Sequence, residues 1–120
     1  MAKTFKELKT GDILWMVYNV KCIPELIELT VWCNSKMLLP DSEFCTFYYK
    51  YPDKKSKYSL MVRETENSVY LSNDILITIN REKAIEKQKD YTRTQLKKDL
   101  KHVEEIQDRI EKLLMILEED

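Results

Sequence analysis

Apolar and polar residues alternate with a period of two through much of the first 79 residues. Between residues 26 and 33 every second position is apolar, and Glu28 and Thr30 lie between them. Such alternation indicates strands with one buried face. Residues 13–20 are almost continuously apolar, which predicts a strand covered on both faces or one that closes a barrel. We predict strands at 13–20, 26–33, 43–51, 58–63, 69–71 and 75–79, with a turn at 40–42.

The last third of the chain has a different pattern. Residues 81–120 contain no Gly and no Pro and are rich in Lys, Glu, Gln and Leu, which is typical of one long helix. Asn80 is the expected N-cap, with Glu82 in the first turn. The predicted fold is α+β: a small antiparallel β-sheet or SH3-like barrel at residues 1–79, followed by one long C-terminal helix at residues 80–120.

The start of the β domain carries a local resemblance to a known fold. Phe5 and Leu8 precede Lys9-Thr10-Gly11-Asp12, a turn in which Gly tolerates a positive φ, and an apolar strand follows. This short stretch resembles the entry into SH3-like small barrels, which implies a five-stranded barrel. A small β domain followed by a Lys/Glu-rich helix also resembles small proteins of bacteriophages and bacterial mobile elements. That resemblance implies an accessory role and no particular activity.

A repeat at spacings of four and three runs along the predicted helix. Its positions are Leu96, Leu100, Val103, Gln107, Ile110, Leu114 and Leu117. This is the a/d pattern of a short coiled coil over about three heptads. A helix over residues 81–118 is roughly 57 Å long, against roughly 30 Å for the diameter of a β domain of this size. The repeat is therefore expected to extend beyond the domain and to form an association site.

Charge is distributed unevenly along the helix. Residues 81–102 hold eight Lys or Arg against four Asp or Glu, and residues 103–120 hold two against seven. The helix macrodipole favours the opposite distribution. An antiparallel second copy would turn this unfavourable distribution into a favourable one, so we expect a homodimer through residues 96–117. In it, lysines of one chain would approach acids of the other: Lys97, Lys98 and Lys101 near Glu111, Glu118 and Glu119. The alternative is a helix that bends back on its own domain, for instance through a kink at 91–94, with these charges forming a solvated face.

A segment rich in lysine and tyrosine joins two predicted strands. The candidate contact residues there are Tyr49, Lys50, Tyr51, Lys54, Lys55 and Lys57. Aromatic rings stack on bases and lysines neutralise phosphates, so the alternative function is a nucleic-acid- or nucleotide-binding module. The other interpretation is a solvated hairpin whose lysines protect a sheet edge from pairing. Trp15 and Trp32 are interpreted as core residues, although an exposed Trp beside Tyr18 or Tyr48 would mark a ligand groove.

Few residues suggest chemistry. Cys22, Cys33 and Cys45 form no CxxC pair and are interpreted as buried reduced thiols. His102 is the only histidine and Gly11 the only glycine, which argues against a zinc site, phosphate-binding loops and a nucleophile elbow. We expect no catalytic residue, no metal site and no cofactor. An enzyme whose site is assembled between subunits is a third class of function.

The net charge of −1 gives no global field that would steer nucleic acid or an anionic membrane. The first residues lack the apolar core of a signal peptide, and no apolar run approaches the roughly 20 residues of a membrane span. We therefore expect a cytoplasmic protein without a membrane partner. The expected function is that of a non-enzymatic oligomeric interaction or adaptor protein, with a protein partner that the sequence does not identify.

Overall fold

The computed structural model describes residues 2–36 and 43–119, and the side chains of residues 35 and 36 are outside that description. The turn predicted at 40–42 also lies outside the described residues. The elements are a 3₁₀ helix at Phe5–Glu7, β1 Ile13–Tyr18, β2 Glu25–Lys36, β3 Phe44–Lys50, β4 Lys57–Arg63, β5 Ser68–Ser72, β6 Ile75–Thr78 and α1 Arg81–Glu118.

The strands form one antiparallel sheet in the order β4-β3-β2-β1-β6-β5. Its two outer strands, β4 and β5, follow each other in the chain, so the sheet curves into a nearly closed barrel. The N-terminal segment lies beside their connection, where the N–H of Phe5 donates to the carbonyl of Glu66 at 2.8 Å. The predicted α+β fold, a small β domain followed by one long helix, is confirmed, with six strands in the sheet.

The interior of the barrel is apolar because each strand directs every second side chain inward. In β3 the inward residues are Cys45, Phe47 and Tyr49, as the alternation predicts. Phe5 enters the same core and stacks on Phe47 with 5.5 Å between ring centroids. Leu8 is also buried there, so the N-terminal segment fills one part of the barrel interior.

The first two and a half turns of α1 pack on the outside of the barrel. Val17 of β1 and Leu76 of β6 form a second buried cluster with Ala84 of the helix. β1 is therefore covered on both faces, in agreement with its continuous apolar sequence. Farther along, the Gln88 side chain donates to the Pro24 carbonyl at 3.1 Å, and the Tyr91 hydroxyl donates to the Asn73 carbonyl at 2.8 Å.

Beyond Tyr91 the helix leaves the barrel. We call residues 92–119 the overhang. Helix α1 is continuous over 38 residues, and the molecule measures 81 × 29 × 23 Å. The molecule is much longer than the barrel is wide. The helix therefore extends away from its own domain and does not bend back on it.

Two turn signals of the sequence have the expected geometry. Gly11 has a φ of +93°, in the region that side chains with a Cβ avoid, and its N–H donates to the Val31 carbonyl at 2.8 Å. Asn80 caps α1: its side-chain oxygen accepts from the N–H groups of Glu82 and Lys83 at 3.0 and 3.2 Å. Gly11 turns the chain from the N-terminal segment into β1, and Asn80 begins α1 after β6.

Candidate functional site

An extended apolar surface lies on the overhang. We call the repeat of Leu96, Leu100, Val103, Gln107, Ile110, Leu114 and Leu117 the seam. All seven side chains are exposed, from 47% at Val103 to 80% at Leu117 for the apolar members. The structure thus places every predicted interface residue on one stretch of helix that the chain's own barrel leaves uncovered.

The charges flanking the seam have few partners within the chain. Arg93 pairs with Asp90 at 2.8 Å, and Lys112 pairs with Asp108 at 3.0 Å. Within the described residues, Lys97, Lys98 and Lys101 take part in no ion pair. The last turn of the helix carries no basic residue, so the macrodipole is not compensated at its C-terminal end.

The predicted Lys/Tyr contact residues divide between the core and the surface. Tyr49 is only 5% exposed and belongs to the barrel core, where burial raises its pKa to about 12. Tyr51 and Tyr58 pack around it at one end of the barrel, with ring centroids 5.2 to 5.9 Å apart. Tyr49 is therefore not part of a surface. Lys54, Lys55 and Lys57 are exposed, and Lys50 is half-buried.

Trp32 is not a core residue, contrary to the interpretation from its apolar strand. It is 42% exposed, and its ring meets the edge of Tyr48 at 90° with centroids 6.1 Å apart. The β2–β3 register shifts between Val31 and Cys33, so Trp32 lies at a β-bulge. Bulges re-aim side chains. An exposed Trp beside Tyr48 is predicted from the sequence to mark a ligand groove.

One lysine contacts this tryptophan, and a second lies across from the first in the sheet. The ammonium of Lys57 lies 3.4 Å from the centroid of the Trp32 ring. Lys50 is the cross-strand partner of Lys57 on the same outer face. We call Trp32, Tyr48, Lys50 and Lys57 the Trp32 patch. The sequence indicates part of this patch, because the spacing of Tyr48, Lys50 and Lys57 places them on one face of a hairpin. It does not indicate Trp32, because the bulge that brings Trp32 to this face has no local sequence signature.

A separate cleft lies between the barrel and the start of α1. It encloses about 800 Å³ and is lined by residues that include Trp15, Asp12 and Arg81. The Arg81 guanidinium lies 5.3 Å from the Trp15 ring centroid. The N–H groups of Glu82 and Lys83 in the first turn of the helix already bond to the Asn80 side chain, so they are not free to hold an anion in the cleft.

The cysteines differ in their environments. Cys45 is buried, and burial raises the pKa of its thiol, whereas Cys33 is half-buried and Cys22 is exposed. The interpretation of all three as buried thiols is therefore wrong for Cys22. In the part of the chain that the structure describes, no group of three or more His, Cys, Asp or Glu side chains is placed to hold a metal ion.

Comparison with known proteins yields no match to any family model, curated protein or solved structure. The resemblance to phage and mobile-element proteins therefore stays a prediction. Across residues 2–36 and 43–119, no helix has both the length and the apolar character required to cross a membrane.

Proposed function

We propose that this protein is a non-enzymatic interaction module that two copies form by antiparallel pairing of their overhangs. Each copy would bury its seam against the other, and the two barrels would lie at opposite ends of the assembly. Each barrel would then present its surface to a protein partner. The observation that carries the proposal is the exposed seam.

The chain's own barrel is poorly placed to cover the seam. The helix contacts the barrel through Ala84, Gln88 and Tyr91, and successive residues of an α-helix advance by roughly 100°. On that geometry the mean direction of the seam is rotated by roughly 100° from the stripe that faces the barrel. The seam also begins after the last barrel contact. A separate molecule is the simplest source of cover for an apolar surface of this kind.

Charge complementarity favours a second copy in the antiparallel orientation. The basic first part of α1 would lie beside the acidic last part of its partner. Lys97, Lys98 and Lys101, which have no ion pair in the described chain, would approach the acidic C-terminal turns. A parallel pair would place these lysines beside their own copies. Each exposed pair contributes only about 0.2–1 kcal/mol, so their role is to select the orientation.

The heptad positions make this orientation specific. With the seam at a and d, the e positions are Lys97, Glu104, Glu111 and Glu118. Antiparallel helices bring e positions of the two chains together, so Lys97 lies across from Glu118 of the other copy. Ile106 and Leu113 occupy g positions and widen the apolar contact on the opposite flank. Gln107 lies near the two-fold axis.

The assembly is tested by light scattering on full-length variants. Leu114→Gln replaces a seam residue that is 52% exposed, and Ile116→Gln replaces a residue that is 65% exposed on the opposite side of the helix. Gln and Leu have similar helix propensities, so the helix itself is retained. We expect the unmodified chain and Ile116→Gln to be dimers and Leu114→Gln to shift towards monomer. A full-length monomer would overturn the proposal.

The orientation is tested by a charge swap measured by sedimentation equilibrium. Lys97→Glu replaces two attractive contacts by two repulsive ones, so we expect dimer affinity to fall by roughly tenfold. Adding Glu118→Lys should restore it. The matched control is Lys89→Glu, an exposed lysine on the part of the helix that lies on the barrel. If the double variant is no tighter than Lys97→Glu, the antiparallel register is wrong.

A further inference from the structure

We infer that the Trp32 patch binds single-stranded nucleic acid, with Trp32 stacking on a base and the surrounding lysines contacting phosphates. This site is separate from the seam, and its chemistry does not depend on assembly of the helix. It lies on the outer face of β2, β3 and β4, whereas α1 packs on β1, on β6 and on β2 near Leu26.

The first argument is the exposure of the aromatic group. A tryptophan contributes most to stability when it is buried, yet 42% of Trp32 remains in solvent on a barrel that buries Phe5 and Phe47 completely. The bulge sets this position, and the Thr10 hydroxyl donates to the Trp32 carbonyl at 2.8 Å, which holds the bulged backbone. Tyr48 supports the ring from its edge. The indole is therefore both exposed and fixed in place, as a stacking platform requires.

The second argument is the concentration of positive charge. Residues 44–63 contain five basic and one acidic side chain, a net charge of +4, whereas the other residues up to 79 contain five basic and nine acidic ones, a net charge of −4. The net charge of the β domain is thus zero, although its hairpin at residues 44–63 is strongly basic. Arg63 is paired with Glu43 at 2.9 Å, which leaves the four lysines of the hairpin as its main anion contacts.

The third argument is a like-charge pair within the sheet. Lys50 and Lys57 are directly opposite each other in the β3–β4 register. Like charges at such positions are destabilising. An anion that lies between or above the two ammonium groups would reduce their repulsion. Lysines on β4 also protect a sheet edge from pairing, but edge protection requires neither an exposed Trp nor a lysine 3.4 Å above its ring.

These features match the chemistry of a nucleotide. Each nucleotide presents a flat base and a phosphate a few ångströms away, and the patch presents an indole with the Lys57 ammonium beside it and Lys50 on the neighbouring strand. Single strands are favoured over duplexes because a base must leave its stack to reach Trp32. An acidic peptide would satisfy the lysines but has no planar group for the indole, so dependence on Trp32 distinguishes the two.

The direct test uses tryptophan fluorescence, since the chain has two tryptophans. In Trp15→Phe only Trp32 emits, and in Trp32→Phe only Trp15 emits. We expect an unlabelled oligothymidylate of about 12 nucleotides to quench the first variant and not the second. Quenching confined to Trp15, or no quenching of Trp32 at saturating oligonucleotide, would overturn the proposal.

Affinity is measured by fluorescence anisotropy with the same oligonucleotide carrying a fluorophore. Loss of one base stack in Trp32→Ala should weaken binding by roughly 5- to 150-fold. If the four lysines each neutralise one phosphate, binding should weaken about 50-fold between about 50 and 200 mM NaCl. Lys50→Gln combined with Lys57→Gln should reduce that salt dependence, whereas Lys6→Gln combined with Lys9→Gln, on the acidic remainder of the domain, should not.

Two results would contradict the inference. Binding that is unchanged in Trp32→Ala would show general attraction to a basic hairpin rather than a stacking site. Equal weakening by the two lysine pairs would show that the hairpin has no special role. The urea midpoint of every variant serves as the control for folding, and the quenching experiment keeps the proposal testable if Trp32→Ala is unstable.

Discussion

The barrel and the overhang both contain many apolar residues, 39 among residues 1–79 and 10 among residues 92–119, but they differ in where those side chains lie. In the barrel, strands distant in sequence bury residues such as Leu14, Leu29 and Leu76 completely. In the overhang, the leucines remain about half exposed or more, and the ion pairs that form are local. Each such exposed pair contributes about 0.3–0.5 kcal/mol. The comparison teaches that the positions of the apolar side chains, as well as their number, separate a self-sufficient core from an exposed apolar surface.

The largest expected effect tests that difference directly. Phe47 is fully buried and contacts Phe5, so Phe47→Ala should lower the free energy of unfolding by about 3–5 kcal/mol. The matched change in the overhang is Ile116→Ala, at a residue outside the seam, which should change it by less than about 0.5 kcal/mol. Urea denaturation followed by circular dichroism measures both. Similar values for the two variants would show that the helix and the barrel share their stability.

A smaller effect is expected from alkaline pH, and it belongs to the barrel alone. Burial raises the pKa of Tyr49 to about 12 from an ordinary value of 10, so the folded protein holds a phenolic proton that the unfolded chain releases. Stability from this group is complete below pH 10 and is lost as pH rises towards 12. The full loss is on the order of 2–3 kcal/mol.

Urea midpoints measured from pH 9 to pH 11 check this expectation. Tyr49→Phe keeps the ring and removes the titrating hydroxyl, so its stability should decline less steeply than that of the unmodified chain. Tyr48→Phe is the matched control, because Tyr48 lies on the outer face of the same strand. Parallel curves for the unmodified chain and Tyr49→Phe would rule out the buried phenol as the cause.

Much of the fold is readable from the sequence because its signals are local. The grouping of Cys45, Phe47 and Tyr49 on one face of β3 follows from the two-residue period of a strand, and the structure shows that this face is the inward one. Gly11 marks a turn because only glycine readily adopts its φ of +93°. The long helix and its cap at Asn80 follow from composition and capping chemistry. Each of these depends on a residue and its immediate neighbours.

The misplaced residues depend on distant contacts. Trp32 is exposed because the pairing of β2 with β3 contains a bulge, and no residue next to Trp32 encodes that extra position. Cys22 is exposed because it lies in the connection between β1 and β2 rather than in a strand. The seam is exposed because α1 is longer than the barrel it follows, and that much the length of the predicted helix indicates.

The smallest expected effect concerns the joint between the two regions. The Asn80 side chain caps α1, and the Asn80 N–H donates to the Thr78 hydroxyl at 3.1 Å, so one residue couples the end of β6 to the helix. Asn80→Ala should destabilise the protein by about 1 kcal/mol, and Asn80→Asp, which keeps a capping oxygen, should recover most of the loss.

Hydrogen exchange of the first turns of α1, compared with the core strands, locates the effect of Asn80→Ala. If the helix base folds as one unit with the barrel, protection should fall by a similar factor in both, since Ala84 is buried against Val17 and Leu76. If only the helical amides lose protection, the boundary of the cooperative unit lies at Asn80. The base of the helix would then belong with the overhang, and pairing of two seams would be needed to hold the whole of α1 in its folded state.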